Sequence, residues 1–362
     1  MTVNNRFQHG GDVYGAAPEG GWRDFSANIN PLGLSSRVRE AIASHLDDVI
    51  HYPDPAGAAL KSAVASHYEV PQKMITLGNG AAELFYVLFH MAALKSVMIP
   101  MPSFSEYERA ALAAGMKIDT FAMSADNDFE PDIDGLIKAL SRDKVSAIIL
   151  GNPNNPTGNL IAKDDIEKIV ISSRENNSLV IVDESFIDFR GDSEKYSVGG
   201  LVEKYDNLVV IHSLTKFYAM PGLRLGFAIA PVGIAQAMER GKDPWNVNLL
   251  AHHAGIAALA DAPYQEATRL FVSEEKDALA ERLRALGGMT VYPPTVNFIL
   301  VKLDRKKWGT SIELKEKMRE RGFLIRDCSN YIGLSDSFIR VAVKSRAEND
   351  ELVEALSAAG GM

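Results

Sequence analysis

The sequence predicts an α/β fold with a largely parallel sheet and a second, smaller domain, and three features carry this prediction. From about residue 74, short apolar runs alternate with longer helical stretches, which is typical of βαβ units. The runs are apolar throughout, as in strands buried on both faces. After Pro244 the pattern changes to a long helical region followed by short strands, and 362 residues suffice for two domains.

The predicted elements follow in chain order. An irregular segment rich in Gly, Asn and Pro comes first and ends in a short helix near 36–46. Buried strands of the large domain are predicted at 74–77, 96–99, 146–150, 179–182, 208–211 and 227–230. Amphipathic helices lie between several of these runs, for example at 164–175. A helical region at 251–286 and strands at 289–292, 298–301, 323–326 and 338–341 complete the smaller α+β domain.

These elements divide the chain into three parts. Residues 1–45 form an N-terminal arm, residues 46–243 the large domain, and residues 244–362 a small C-terminal domain. We find no internal repeat and no low-complexity linker.

Composition narrows the classes of function. Acidic residues outnumber basic ones by 47 to 38, a net charge of −9, so we expect neither nucleic acid nor an anionic membrane as a partner. Residues 1–6 lack the apolar core of a signal peptide, and no apolar run could span a bilayer, so a cytoplasmic protein is expected. The single cysteine, Cys328, predicts neither a disulfide nor a Cys-rich metal site, and no metal is expected.

In open α/β sheets, ligands bind beyond the carboxyl ends of the strands, so the residues after each run are the most informative. Gly80, Ala81 and Ala82 follow the first run and open a helix, where free N–H groups and the helix dipole form an anion site. The alternative is an ordinary glycine turn. The loop at 152–158 contains three asparagines and two prolines, so it could present the Asn155 amide in one orientation, although a structural turn also explains the prolines.

Two further strand ends carry charged side chains. Asp183 follows the run at 179–182, and a buried carboxylate needs a cationic or hydrogen-bonding partner, which a pyridinium N–H supplies; the alternative is a helix-capping aspartate. Lys216 follows the run at 208–211, where burial favours a neutral amine that can attack an aldehyde. Ser213, Thr215 and Arg224 suit a phosphate dianion. The alternative for Lys216 is a surface lysine.

Together, an anion cradle, an asparagine loop, a carboxylate and a lysine in this chain order predict a pyridoxal 5'-phosphate site. The same residues resemble fold-type I pyridoxal phosphate enzymes of the aspartate aminotransferase superfamily over nearly the whole chain. This resemblance implies a large cofactor-binding domain with a mostly parallel seven-stranded sheet, an arm that contributes to the active site and the small domain, and a homodimer with shared active sites.

Within this superfamily the chain is similar to the branch that contains threonine-phosphate decarboxylases and histidinol-phosphate aminotransferases. Segments that favour the decarboxylases lie at 9–12, 25–33 and 213–226, with Asp12 in place of the usual Asn. Phe186 stands where the aminotransferases usually carry a tyrosine that donates a hydrogen bond to the cofactor, and phenylalanine cannot donate one. Phe104 likewise replaces a tyrosine that stacks on the ring.

The resemblance assigns expected roles to individual residues. Lys216 would attach the cofactor covalently, Asp183 would pair with the pyridine nitrogen, and Asn155 would bind the phenolate oxygen. The other expected cofactor contacts are Gly80, Ala81, Ala82, Phe104, Ser213, Arg224 and, from a second subunit, Tyr52. The expected substrate contacts are His9, Gly10, Asn28, Asn155, Arg326 and Arg340, with both arginines on the carboxylate.

The expected activity is decarboxylation of L-threonine O-3-phosphate to (R)-1-aminopropan-2-ol O-phosphate for the cobalamin nucleotide loop. L-Serine O-phosphate, giving ethanolamine phosphate, stays open as an additional or alternative substrate, because the two differ by one methyl group. A histidinol-phosphate aminotransferase that uses 2-oxoglutarate and glutamate is the alternative enzyme. A non-catalytic regulator that binds the cofactor is the alternative from another class, but the acidic chain shows no helix-turn-helix extension.

Overall fold

A seven-stranded mixed sheet forms the centre of the computed structural model, which describes residues 7–360. The expectation about residues 1–6 therefore lies outside the described chain. The strands are β2 (Ile75–Gly78), β3 (Ser96–Met101), β4 (Lys117–Ala122), β5 (Ala147–Gly151), β6 (Leu179–Asp183), β7 (Leu208–Ser213) and β8 (Gly226–Ile229). Their spatial order is β2-β8-β7-β6-β5-β3-β4, and only β8 runs antiparallel to its neighbours. The predicted mostly parallel sheet is confirmed.

The strand that the apolar runs did not predict is β4. It lies at the edge of the sheet and pairs with β3 alone, and none of its residues is fully buried. Its sequence therefore mixes polar and apolar residues, such as Lys117 and Asp119 beside Ile118, and lacks the continuous apolar run of a central strand. Only the family resemblance implied this seventh strand.

Helices cover both faces of the large sheet, as the βα alternation predicts. Alternate residues of β6 belong to different cores: Val180 and Val182 to one, Leu179 and Ile181 to the other. Helices α2 (Ala58–Tyr68), α5 (Ile133–Asp143) and α6 (Lys163–Glu175) pack in the first core. Helices α3 (Ala81–Met91), α4 (Ser105–Ala113) and α8 (Val232–Gly241) pack in the second. The short helix α7 (Leu214–Phe217) directly follows β7.

A smaller antiparallel sheet lies in the C-terminal part of the chain, in agreement with the predicted α+β character. It contains β9 (Met289–Val291), β10 (Phe298–Leu303), β12 (Arg326–Asp327) and β13 (Phe338–Ala342) in the order β12-β13-β10-β9. Helices α11 (Arg305–Trp308), α12 (Ser311–Glu320) and α13 (Arg346–Ala359) accompany it, and Trp308, Leu314 and Leu352 enter its core.

The strand predicted at 323–326 is two strands. Its first half, β11 (Phe323–Leu324), pairs in parallel with β1 (Arg23–Asp24), and only its second half, β12, joins the four-stranded sheet. The backbone of the N-terminal segment hydrogen-bonds to the first half: the Phe25 N–H donates to the Leu324 carbonyl at 2.8 Å. The pairing places the N-terminal segment beside the small sheet.

The helical region predicted at 251–286 is also two helices, α9 (Leu249–Leu259) and α10 (Ala262–Ala285). The Asp261 side chain caps α10 by accepting from the Tyr264 N–H, and Pro263 lies in the first turn, where its missing N–H has no helical partner to lose. Near the N-terminus, α1 (Ser36–Ser44) ends two residues before the predicted limit and packs against α9. None of the helices within residues 7–360 has the length and apolar character needed to cross a membrane.

Candidate active site

A cavity of about 410 Å³ opens at the carboxyl ends of the large-sheet strands. The N-terminal segment, the large sheet and the small sheet all contribute to its wall. Every predicted site residue except Gly80 and Tyr52 lines it: His9, Gly10, Asn28, Ala81, Ala82, Phe104, Asn155, Asp183, Ser213, Lys216, Arg224, Arg326 and Arg340. The structure therefore brings together residues that lie far apart in the chain.

Lys216 lies in the short helix after β7, with its side chain in the cavity. Within residues 7–360 its amine has no ion-pair or hydrogen-bonding partner. Burial lowers the pKa of Lys216 to about 8, and the nearby cations Arg340 and Arg224 add to this effect. A substantial fraction of the side chain is thus neutral near physiological pH, which is the form that attacks an aldehyde.

Asp183, at the end of β6, presents a buried carboxylate to the same cavity. Its Oδ2 accepts a hydrogen bond from the Tyr107 hydroxyl at 2.6 Å, and its Oδ1 accepts from the Ser185 N–H at 2.9 Å. Burial raises the pKa of Asp183. The alternative of a capping aspartate is partly realised by the Ser185 contact, but among the described residues no cation forms an ion pair with this carboxylate. A protonated ring nitrogen would balance its negative charge.

An anion cradle lies at the start of α3. A Cβ at Gly80 would overlap the Arg224 guanidinium, so glycine at φ 80° allows the arginine to approach the helix. A Cβ at Gly226 would lie 2.6 Å from the Ala81 nitrogen, which keeps this region equally free of side chains. The Ser213 and Thr215 hydroxyls, 2.7 Å apart, also line the cavity. Helix N–H groups, hydroxyls and one guanidinium fit a phosphate dianion. Gly80 shapes this cradle without lining the cavity.

Two buried arginines form the opposite wall. Arg326 donates to the carbonyls of Asp327 and Gln8, both at 2.7 Å, and Arg340 donates to the Ser26 carbonyl at 2.9 Å and to Asn155 Oδ1. Neither forms an ion pair with a carboxylate of residues 7–360, and the Arg340 Nε atom has no hydrogen-bonding partner there. Buried cations without counter-ions are unfavourable, so this wall suits an anionic ligand.

Asn155 lines the cavity beside this wall. Its side-chain oxygen accepts from Arg340 and, at 3.5 Å, from the Tyr331 hydroxyl. The other asparagines of the loop have structural partners: Asn152 bonds the Ile161 backbone, and Asn154 bonds the Pro102 carbonyl and Thr157. These bonds explain why the loop needs more than one asparagine and leave Asn155 for the cavity.

The N-terminal segment covers the cavity. A Cβ at Gly10 would overlap the Ser26 carbonyl, so only glycine allows this close approach. The Asn28 Oδ1 atom is buried without a hydrogen-bonding partner in the described chain. His9 Nε2 lies 2.8 Å from Glu106 Oε1, and its ring centroid is 5.7 Å from that of Phe104.

Tyr52 is the predicted residue that lies apart from the cavity. Its side chain is 78% exposed and packs on Trp245 with a ring separation of 4.6 Å. Tyr52 thus does not line the cavity of its own chain.

Sequence reasoning missed several residues that line the cavity, among them Glu106, Tyr107, Arg109 and Tyr331. Glu106 contacts both His9 and, at 3.4 Å, Arg109. Glu106, Tyr107 and Arg109 lie in α4, which begins after Phe104. Helical spacing could have found Tyr107, which lies three residues after Phe104, because positions three and four apart share a helix face; Arg109 has the same spacing from Glu106.

Comparison with known proteins identifies the class. The family model for aminotransferase class I and II matches residues 21–356, and the chain belongs to this family. It is 39% identical over 350 residues to a putative threonine-phosphate decarboxylase of Caldanaerobacter subterraneus, covering 97% of this chain and 93% of the relative. It is 36% identical over 356 residues to the threonine-phosphate decarboxylase of Salmonella typhimurium, covering 96% and 95%.

A solved structure gives the same fold. The crystal structure of the histidinol-phosphate aminotransferase from Clostridium acetobutylicum superposes with a TM-score of 0.84 at 32% identity, covering 92% of this chain and 98% of the other. The expected fold-type I architecture is therefore confirmed, and both enzyme types of the predicted branch are among the similar proteins.

Proposed function

We propose that this protein is a pyridoxal phosphate-dependent carboxy-lyase that converts L-threonine O-3-phosphate to (R)-1-aminopropan-2-ol O-phosphate for the cobalamin nucleotide loop. The observation that carries the proposal is the cavity itself, where an amine of lowered pKa lies between a buried carboxylate and two buried arginines without counter-ions. The decarboxylase relatives, which match over nearly the whole chain, support the choice of reaction.

The residues present fit the cofactor. Arg224, Ser213 and the backbone of Ala81 and Ala82 would hold its phosphate, and Lys216 would bind its aldehyde carbon. Asp183 would face the ring nitrogen, with Asn155 at the phenolate oxygen and Phe104 against the ring. When bound, the cofactor supplies an aldehyde that captures the substrate amine and a protonated ring that accepts the electron pair of the breaking bond.

The chain's own residues decide which bond breaks. Arg326 and Arg340 would bind the substrate α-carboxylate and fix its direction relative to the cofactor ring. His9, Gly10 and Asn28 would meet the substrate phosphate at the covered end of the cavity. Once carbon dioxide has left, the Lys216 amine, which lines the cavity, would supply the proton that Cα takes up.

Phe186 favours the decarboxylase over the aminotransferase alternative. Its buried ring lines the cavity and packs edge-on against Phe298 at 5.1 Å. No hydroxyl is therefore available at this position for the hydrogen bond that a tyrosine would donate to the cofactor. This supports the decarboxylase, although the solved aminotransferase has the same fold.

A substrate panel tests the function. We expect carbon dioxide from L-threonine O-3-phosphate and no glutamate from histidinol phosphate with 2-oxoglutarate; the reverse pattern would establish the aminotransferase. Comparing kcat/KM for L-threonine O-3-phosphate and L-serine O-phosphate measures the effect of one methyl group. Such a group is worth about 1 to 3 kcal/mol, or roughly a 10- to 200-fold preference.

Capture of the cofactor by the apoenzyme should depend on pH. Only the neutral amine attacks, and the pKa of Lys216 is lowered from 10.5 to about 8. The neutral fraction therefore grows as the pH rises through 8, and the rate of covalent attachment of pyridoxal phosphate should rise with it and then level off. Stopped-flow absorbance between pH 6.5 and 9.5 measures this rate. A rate that keeps rising tenfold per pH unit up to pH 9.5 would show that the amine is not perturbed.

We also propose that the protein is a homodimer with shared active sites, in which Tyr52 reaches the cofactor of the partner. The exposed apolar residues near Tyr52 support an interface here: Leu46, Val49, Ile50 and Trp245.

The proposed divisions of the chain are the arm at 1–45, the cofactor-binding domain at 46–243 and the small domain at 244–362. We propose the cytoplasm as the compartment, which suits a protein whose single cysteine is buried and free.

Mixing two inactive or impaired variants tests the shared site. A dimer of one Lys216→Ala chain and one Tyr52→Ala chain contains one site with both residues intact, provided that Tyr52 acts across the interface. Activity should therefore rise after the two variants are mixed and allowed to exchange subunits. If Tyr52 acts within its own chain, the mixed dimer has no intact site and mixing gives no gain.

A further inference from the structure

A second group of ligand-type side chains lies outside the active-site cavity. It consists of His45, directly after α1, Asp48 in the following turn, and His253 on α9. One ligand atom from each lies within 4.8 Å of the others, and no other group of three among residues 7–360 meets this spacing. None of the three lines the cavity.

The local hydrogen bonds fix the orientation of these groups. The Nδ1 of His45 lies 2.7 Å from the Ala41 carbonyl oxygen, which can only accept, so Nδ1 donates this bond and Nε2 is the ring nitrogen left to face a ligand. Histidines that bind metals usually donate their other N–H in this way. The Asp48 N–H donates to the His45 carbonyl at 3.2 Å, which holds the carboxylate close to the ring.

The two imidazoles face each other without a hydrogen bond. The His45 and His253 rings stack with centroids 3.5 Å apart and an angle of 15° between their planes. Within the described chain, the exposed Asp48 forms no ion pair with a lysine or arginine, so its carboxylate is free to act as a ligand.

We propose that His45, Asp48 and His253 bind one divalent transition-metal ion, with Zn²⁺ as the best fit and water completing the coordination. Two imidazoles and one carboxylate are ligands that Zn²⁺ accepts, whereas Mg²⁺ and Ca²⁺ prefer oxygen alone. The stacked rings would have to rotate about their side-chain bonds for two nitrogens and the carboxylate to converge on one ion. The ion would join the end of α1 to α9 and so fasten the N-terminal part of the chain. Spacing in the sequence did not predict this site, because His253 lies far from His45 in the chain.

Calorimetric titration of tag-free, chelator-treated holoenzyme with ZnCl₂ tests the proposal. We expect one site per chain with a dissociation constant below about 10 µM, and a Tm higher by about 2 °C or more with Zn²⁺. His253→Ala should weaken binding at least tenfold. His90→Ala is the matched control: its Nδ1 makes the same bond to the Tyr86 carbonyl at 2.7 Å, but it belongs to no cluster.

A second variant guards against misfolding. Asp48→Asn changes an exposed side chain without changing its size, so the protein should fold normally. The variant lacks the carboxylate charge and should bind Zn²⁺ several-fold more weakly than the wild type. Binding that is undetectable at 100 µM Zn²⁺, or equal in the wild type, His253→Ala and Asp48→Asn, would overturn the proposal. Equal loss of binding in His90→Ala would overturn it as well.

Discussion

Replacing Lys216 with alanine should abolish covalent attachment of pyridoxal phosphate and lower kcat by about 10³-fold or more. The variant loses the amine that binds the cofactor aldehyde and also the group positioned to return the proton to Cα. The wild type should keep its visible absorbance band through dialysis, and Lys216→Ala should lose that band. The side chain lines the cavity and has no partner within residues 7–360, so its removal should leave the fold intact.

Lys242 provides an internal control for this result. Burial lowers its pKa too, but its amine donates to the Leu77 carbonyl at 3.0 Å and pairs with Glu239 at 3.2 Å. It does not line the cavity. After borohydride reduction, peptide mapping should find the cofactor on Lys216 and none on Lys242. A stable visible band in Lys216→Ala, or a label on Lys242, would contradict the assignment.

Replacing Asp183 with asparagine should lower kcat by about 10²- to 10⁴-fold. Asparagine keeps the size of the side chain but loses the negative charge that would keep the ring nitrogen protonated. The fold should survive, because the amide oxygen of the new side chain can still accept from one of the two present donors, Tyr107 and the Ser185 N–H. The measurement is kcat for carbon dioxide release, together with the absorbance maximum of the bound cofactor.

Tyr107→Phe is the matched comparison for Asp183→Asn. It removes one hydrogen bond to the carboxylate and leaves the charge, so the expected loss in kcat is about tenfold. A larger loss in Tyr107→Phe than in Asp183→Asn would show that the hydrogen bond matters more than the charge. Activity of Asp183→Asn within tenfold of the wild type would contradict the proposed role of Asp183.

The sequence was most informative at the central strands and their carboxyl ends. Continuous apolar runs predicted six of the seven strands of the large sheet, including the buried edge strand β2, and the strand-end rule selected Asp183, Asn155 and Lys216, which the structure brings into one cavity. The edge strand β4 was not predicted, because its residues are partly or fully exposed and such strands lack continuous apolar runs. The helix break at Asp261 has a local signal, the capping aspartate followed by Pro263. The apolar pattern of the two flanking helices runs across this break, so the prediction joined them into one helical region.

Contacts between segments far apart in the chain could not be predicted from the residues alone. Tyr107 acts on Asp183, and Arg340 on Asn155, across long stretches of chain, so neither pairing has a local pattern. No local pattern marks the N-terminal residues His9, Gly10 and Asn28, and only the resemblance to a known family drew attention to them. Pairing of β1 with β11 explains their position, because it fixes the N-terminal segment beside the cavity.

The central claim is that the bond between Cα and the carboxylate breaks, and isotope incorporation tests it most directly. The holoenzyme is incubated with L-threonine O-3-phosphate in D₂O, and the products are analysed by mass spectrometry and NMR. We predict one carbon dioxide per amino-alcohol phosphate, with one deuterium at the former Cα. Recovery of substrate that carries deuterium at Cα, or formation of a 2-oxo acid from 2-oxoglutarate-dependent transfer, without carbon dioxide would contradict the account.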